Sequence, residues 1–159
     1  MSRVTMLVAV LVVGAVPAAV PATAQQAAPA KSLYERLGGM TGITVVVDEF
    51  IDRLVIDHML NMNPQIKEAR ARVPAPYLKY HVSALVCQVT GGPCAYTGRT
   101  MKNSHAHLNI TPAEWDWMVG VFKDVLADHV VPAPEQEELL AIVGTTRTDI
   151  VMASAATPR

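Results

Sequence analysis

The sequence predicts an all-α protein, because apolar residues recur with the 3.6-residue period of a helix and Gly and Pro residues end these patterns. The clearest pattern runs over residues 41–55, where charged residues fill the face opposite the apolar one. Residues 45–47 alone would favour a strand, but the longer period outweighs this local preference. The apolar face comprises Ile43, Val46, Val47, Phe50, Ile51, Leu54 and Val55.

Capping motifs mark where two of the helices begin. In each motif a hydroxyl residue accepts a backbone hydrogen bond from the third residue of the helix, and a Glu at that third position reaches back. Ser32 and Glu35 predict a short helix at 32–37. Thr111 and Glu114 predict a long helix with a proline in its first turn, where the missing N–H does no harm.

Periodicity places the remaining helices. A short helix is predicted at 65–72 within an otherwise irregular stretch, a long helix over 77–89, and a last helix from about Glu135. A loop at 91–99, rich in Gly, Pro and Thr, separates the second long helix from a short segment at 101–108.

The N-terminal residues have the order of a secretory signal peptide: a basic start, an apolar stretch at 6–20 and a small-x-small cleavage sequence at 22–24. An uncleaved membrane anchor is the alternative, which the interruptions at Gly14, Pro17 and Pro21 disfavour. We therefore expect a periplasmic or secreted protein with no membrane attachment after cleavage. The expected divisions are a signal peptide at 1–24, a tether at 25–31, a folded domain at 32–153 and a tail at 154–159.

The composition disfavours nucleic acid as a partner. The chain of 159 residues has a formal net charge of −1, and its 13 basic residues are scattered. Binding to phosphates requires a clustered excess of Lys and Arg. A single domain with one core suits this length.

The two cysteines, Cys87 and Cys94, have two interpretations. In an oxidising compartment they can form a disulfide, since the Gly-Gly-Pro turn between them can fold the chain back. Alternatively, Cys87 is a small buried apolar residue at a helix end. Their spacing excludes a Cys-x-x-Cys redox site and covalent haem attachment through Cys-x-x-Cys-His.

Two of the five histidines are candidate metal ligands. His81 lies on the apolar face of a long helix, where burial requires a partner for its nitrogens, and a carbonyl or water is the ordinary one. His105 follows the glycine-rich loop, so the two segments can lie on opposite sides of a flat cofactor such as haem. His58 and His129 are expected at the surface. An apolar pocket is predicted from Phe50, Leu78, Val82, Leu85, Val86, Met101 and Met118.

Several blocks of sequence resemble the group I truncated haemoglobins, in order, from about residue 32 to residue 151. The most specific block is Gly91-Gly92-Pro93-x-x-Tyr96-Thr97-Gly98-x-x-Met101-Lys102-x-x-His105. It is preceded by Ser32-Leu33-Tyr34-Glu35-Arg36-Leu37-Gly38-Gly39 and Val46-Val47-Asp48-Glu49-Phe50, and followed by Ile110-Thr111.

The resemblance implies a two-over-two helical sandwich that holds haem b, with His105 as the proximal iron ligand. The other nitrogen of His105 is expected to be oriented by an acceptor that the sequence does not identify. His81 falls where some cyanobacterial and algal relatives place a second axial histidine. On the distal side, the resemblance places Leu78, Val82, Leu85 and Val86 over the haem.

This chain departs from the family pattern at positions that matter for oxygen binding. Ile51 stands where the family usually has a Tyr that donates to bound oxygen. Asn63 or Pro64 stands in place of a Phe at the haem edge, and the stretch at 64–76 is longer than usual. His81 is expected either to replace the missing donor or to occupy the sixth position itself.

Three functions remain open from the sequence. The first is binding of oxygen or another diatomic gas at haem iron. The second is redox chemistry: electron transfer with a partner protein, nitric oxide dioxygenation or peroxide handling. The third is a haem-free helical interaction domain. The first is favoured, and a gas-binding or electron-transfer protein is favoured over a dedicated enzyme.

Overall fold

The computed structural model describes residues 30–152, and this part of the chain is helical, as the sequence predicts. The only β pairing within these residues is an isolated bridge between Ile110 and Val151. The predicted signal peptide, most of the tether and the C-terminal tail lie outside the described residues. The helices are α1 (Leu33–Arg36), α2 (Gly39–Ile56), α3 (His58–Asn61), α4 (Pro64–Arg72), α5 (Ala75–Val89), α6 (Met101–His105), α7 (Pro112–Asp128), α8 (Ala133–Thr145) and α9 (Arg147–Ile150).

Two helices begin earlier than the sequence predicts, each with a proline in its first turn. The prediction that the irregular stretch continues through residue 76 is wrong, because α5 begins at Ala75 and includes Pro76. Helix α8 likewise begins at Ala133 and includes Pro134. A proline is tolerated there because its missing N–H would have no partner inside the helix.

The capping motifs occur as predicted. The Ser32 and Glu35 side chains satisfy the first backbone groups of α1, and Thr111 and Glu114 do the same for α7. The one-turn helix α3 was not predicted. Asp57 caps it by accepting a hydrogen bond from the backbone N–H of Leu60 at 2.8 Å.

Helix α2 is the centre of the core. It packs against α5 on one side and α7 on the other, and α8 packs against α1 and α7. One apolar cluster joins α1, α7 and α8 through Leu33, Phe122, Leu126 and Leu139. A second cluster joins α2 to α5 through Ile43, Val47, Ile51 and Cys87.

Cys87 and Cys94 form a disulfide, which decides between the two interpretations of these residues. Cys87 is fully buried at the end of α5, and the bond ties it to the loop that leads towards α6. Their Cα atoms are 5.8 Å apart, within the range that a disulfide spans. The loop between α5 and α6 is therefore attached at its beginning to the core.

Ion pairs connect the helices at the surface. Lys79 of α5 bridges Asp48 and Asp52 of α2 at 2.7 and 2.8 Å. Exposed pairs of this kind contribute little individually, so we attribute the packing of α2 and α5 to the apolar cluster. None of the helices in the described part of the chain is both long and apolar enough to cross a membrane.

The expectation that His58 and His129 both lie at the surface is correct for His58 only. His58 is exposed at the start of α3. His129 is half-buried after α7, and its Nε2 lies 2.6 Å from Oε2 of Glu49, without the angle of a hydrogen bond. It therefore pairs α7 with α2.

Candidate functional site

His105 is held on the one-turn helix α6 with one ring nitrogen already engaged. Thr100 caps the helix by accepting from the backbone N–H of Asn103 at 3.2 Å. Nδ1 of His105 lies 2.9 Å from the carbonyl oxygen of Met101, and a carbonyl can only accept, so Nδ1 carries the proton. The lone pair of the neutral ring is then on Nε2, as an axial metal ligand requires.

Burial favours the same uncharged form of this imidazole. It lowers the pKa of His105 below its ordinary value, and this effect is larger than the opposing effect of the Met101 carbonyl. A histidine must be neutral to coordinate a metal. His107, two residues further on, is exposed, so it has neither the burial nor the position of His105.

His81 is surrounded by tyrosine rings on α5 and on the following loop. Its ring centroid lies 4.3 Å from that of Tyr77, 5.2 Å from that of Tyr80 and 6.1 Å from that of Tyr96. Nδ1 of His81 is buried and has no hydrogen-bond partner among the described residues. A buried polar atom without a partner carries a cost in free energy.

The helices that carry the two histidines pack mainly against other parts of the fold. Helix α5 packs on α2, and α6 packs on α9; α5 and α6 are not in extensive contact with each other. Tyr96, in the loop between α5 and α6, makes hydrogen bonds towards both helices. Its backbone N–H donates to the side chain of Gln88 on α5 at 2.6 Å, and its hydroxyl donates to the carbonyl of Arg99, just before α6, at 2.7 Å. The neutral imidazole of His105 is of the type that could hold haem iron.

The predicted pocket residues fall into two groups. The first group packs against the apolar clusters of the core and comprises Phe50, Leu78, Val82 and Val86. The ring centroid of Phe50 also lies 5.0 Å from that of Phe122. Leu85, Met101 and Met118 are half-buried and belong to neither cluster. The second group therefore has apolar surface that the core does not use.

The departures from the family pattern have structural consequences. Ile51 is buried in the cluster between α2 and α5 and has no group that could donate a hydrogen bond. Asn63 is buried and caps α4 by accepting from the backbone N–H groups of Gln65 and Ile66. Its amide also donates to the carbonyl of Leu108 at 3.0 Å, which connects α4 to the segment after α6.

A cavity of about 240 Å³ lies elsewhere, within the helical core. It contains neither His81 nor His105 and shares only Val86 with the predicted pocket. Its walls are Leu37, Thr41, Gly42, Ile43, Val45, Val46, Val47, Val86, Phe122, His129, Val131 and Leu139.

Two parts of the site were missed in the sequence. The acceptor for His105 is the carbonyl of Met101, one turn earlier on the same helix. The other part is the pair of tyrosines beside His81. Tyr77 lies four residues before His81, so helical spacing places the two side chains next to each other, and Tyr80 directly precedes His81. That spacing was the available signal for Tyr77, whereas nothing local indicates the contact with Tyr96.

A helical fold with a neutral, half-buried imidazole on a short helix has the features of a haem-protein site of the globin class. The family model for Bacterial-like globin matches residues 32–152. The chain therefore belongs to this family, and within it to the group I truncated globins.

Proteins of this group are similar to the chain over most of its length. A group 1 truncated haemoglobin of Mycolicibacterium paratuberculosis is 30% identical to this chain. The alignment covers 82% of this chain and 91% of the relative's length. A group 1 truncated haemoglobin of Synechocystis is 34% identical over 71% of this chain and 90% of its own.

Solved structures give the same fold. The truncated haemoglobin of Tetrahymena pyriformis, in its Fe(III) form, superimposes on this chain with a TM-score of 0.64 and is 19% identical in sequence. The superposition covers 77% of this chain and all of the Tetrahymena chain. The 2/2 haemoglobin of Synechococcus, solved with covalently attached haem, gives 0.63 at 22% identity, over 76% of this chain and 98% of that one. The predicted fold class and the predicted haem iron cofactor are confirmed.

Proposed function

We propose that this protein is exported and binds oxygen or another diatomic gas at the iron of haem b, with His105 as the proximal ligand. The observation that carries this proposal is the 2.9 Å contact between Nδ1 of His105 and the Met101 carbonyl, which leaves Nε2 available. Haem supplies an iron atom at which a small gas can bind or an electron can be held.

His81 would be a second ligand to the haem iron, in competition with an incoming gas. The resemblance to relatives that place a second axial histidine at this position supports this role, and the His81 ring also lies near Tyr96 in the loop that leads to α6, with ring centroids 6.1 Å apart. The neighbouring Tyr77 ring packs against the imidazole at an interplanar angle of 56° and restrains its movement.

Half-buried apolar side chains line the site and exclude water from it. Leu85 on α5, Met101 on α6 and Met118 on α7 supply surface that neither core cluster uses. Phe50, Leu78, Val82 and Val86 support the wall from the core side. Apolar surroundings of this kind govern solvent access to a metal and its electronic properties.

Electron transfer with a redox partner protein is the second candidate. The observation that favours it is Ile51, an apolar buried residue at the position where the family usually has a hydrogen-bond donor. A site with histidines on both sides and no distal donor suits a change of iron oxidation state without a change of ligands. Nitric oxide dioxygenation and peroxide handling are less well supported, because they benefit from such a donor.

The visible absorption spectrum of the haem-loaded protein, oxidised and reduced, tests these roles. We expect a low-spin spectrum for wild type, a high-spin spectrum for His81→Ala, and an unchanged spectrum for the control His107→Ala. Carbon monoxide added to the reduced protein should bind faster in His81→Ala than in wild type. A wild-type spectrum that is already high-spin would exclude His81 as a ligand.

Two further outcomes distinguish the alternatives. Absence of a Soret band after haem is added would support the haem-free interaction domain and overturn the proposal. A reversible midpoint potential, with the same low-spin spectrum in both oxidation states and no binding of carbon monoxide, would favour electron transfer. Export is tested separately by fractionating cells and sequencing the N-terminus of the mature protein, which should begin at Gln25.

A further inference from the structure

Exposed methionines and a histidine share one turn of the chain. His58, Met59 and Met62 lie on and directly after α3, and all three are exposed, with 49% of Met59 and 67% of Met62 accessible to solvent. Neither core cluster includes these methionines. Two thioethers and an imidazole, all of them possible ligands of a soft metal ion, are thus exposed on one short stretch of surface.

The backbone brings the three side chains to one face. The N–H of Met62 donates to the carbonyl of His58 at 3.1 Å and also to that of Met59 at 3.3 Å, so the helical turn continues to Met62. Residues three and four positions apart on a helix are neighbours at its surface. His58 and Met62 are therefore neighbours, as are Met59 and Met62.

Hydrogen bonds that do not involve these three side chains hold the turn rigid. Asp57 caps it and also accepts from Nε1 of Trp117 on α7 at 3.0 Å. The Asn61 amide donates to the carbonyl of Val55 at 3.1 Å, and Arg70 donates to both Asn61 and Val55. The two thioethers and the imidazole are thus presented on a preorganised support.

We propose that His58, Met59 and Met62 form a surface site for a soft monovalent metal ion, Cu(I). Thioether sulfur is a soft ligand that selects Cu(I) over harder ions, and imidazole binds copper as well. The carboxylate of Asp57, which directly precedes His58, adds negative charge next to the site. None of the three residues belongs to the predicted haem pocket.

Anaerobic equilibrium dialysis of the haem-loaded protein against a Cu(I)–chelator buffer tests the proposal, with bound copper counted by elemental analysis. We expect one copper per chain in wild type. In Met59→Leu/Met62→Leu the affinity should fall at least about tenfold, since even partners beyond the ligands contribute roughly 10–100-fold to metal affinity. Met152→Leu is the matched control, because Met152 is 50% exposed and outside this turn.

Leucine keeps the exposed face apolar, so these substitutions separate a metal site from an apolar docking surface. In protein labelled at the methionine methyl groups, Ag(I) should shift the NMR signals of Met59 and Met62 and leave that of Met152 in place. Absence of copper in wild type would overturn the proposal, as would equal binding by wild type and the double variant. A circular dichroism spectrum confirms that the variants are folded.

Discussion

The carbonyl of Met101 and Nδ1 of His105 lie 2.9 Å apart, one turn from each other on α6. The short helix therefore supplies both the ligand and the group that orients it. Because the acceptor is a backbone carbonyl, no side-chain substitution removes it while α6 remains helical. The position and the protonated nitrogen of His105 depend on the backbone of α6 and on the Thr100 cap.

Removal of the His105 side chain should release the haem. Loss of a partner beyond the ligand already costs roughly 10–100-fold in metal affinity, so His105→Gly should lower haem affinity by at least this factor. Free imidazole should restore binding by occupying the vacated position. Haem transfer to apomyoglobin measures the effect, and His107→Gly is the control. Equal haem retention in both variants would contradict the assignment of His105.

The long helices were predictable because each buries a continuous stripe of apolar residues. Such a stripe defines α2, α5 and α7, whereas the one-turn α3 has too few residues for a period. The early starts of α5 and α8 were missed because a proline was interpreted as lying outside the helix. The sequence alone also left the disulfide open, because it gives no distance between Cys87 and Cys94.

The site was predicted unevenly for a related reason. His81 and His105 each stand out locally, one in an apolar stripe and the other in a specific motif. Their surroundings depend on tertiary structure: the position of Tyr96 beside His81 follows from the path of the loop between α5 and α6. On α5, Leu78, Val82 and Val86 pack on the core and Leu85 does not, a difference that the apolar pattern of the sequence does not contain.

The disulfide should contribute substantially to stability. For a closed loop as short as that between Cys87 and Cys94, loop entropy gives about 2.5 kcal/mol. We expect Cys87→Ala/Cys94→Ala to lower the free energy of unfolding in urea by about this amount. A reductant should lower the stability of wild type and leave that of the variant unchanged. A variant as stable as wild type would show that the bond adds no constraint.

Gly92 should not tolerate a side chain. An added Cβ would lie 2.5 Å from Cδ2 of Tyr34 and 2.7 Å from Sγ of Cys87, so α1 or the disulfide would have to shift. We expect Gly92→Ala to destabilise the protein by about 1–3 kcal/mol, measured by urea unfolding. Gly120→Ala is the control: nothing lies within 4 Å of its added Cβ. Inside α7 that change should stabilise by up to about 1 kcal/mol. Similar stabilities for the two variants would refute the close packing at Gly92.

The cap of α1 should make part of the stability dependent on pH. The Glu35 carboxylate accepts from the backbone N–H of Ser32 at 2.7 Å and from its hydroxyl at 3.1 Å, which lowers the pKa of Glu35 below 4.5. A carboxyl with a lowered pKa stabilises the fold above its unfolded pKa, and this contribution is lost as the pH falls through the folded value.

Wild type should therefore exceed Glu35→Ala in urea stability near neutral pH, and the difference should narrow on acidification below 4.5. Glu137→Ala, which removes an exposed carboxyl of α8 that caps no helix, is the control for the substitution itself. A difference between wild type and Glu35→Ala that stays constant with pH would mean that the Glu35 carboxylate does not act as a charged cap.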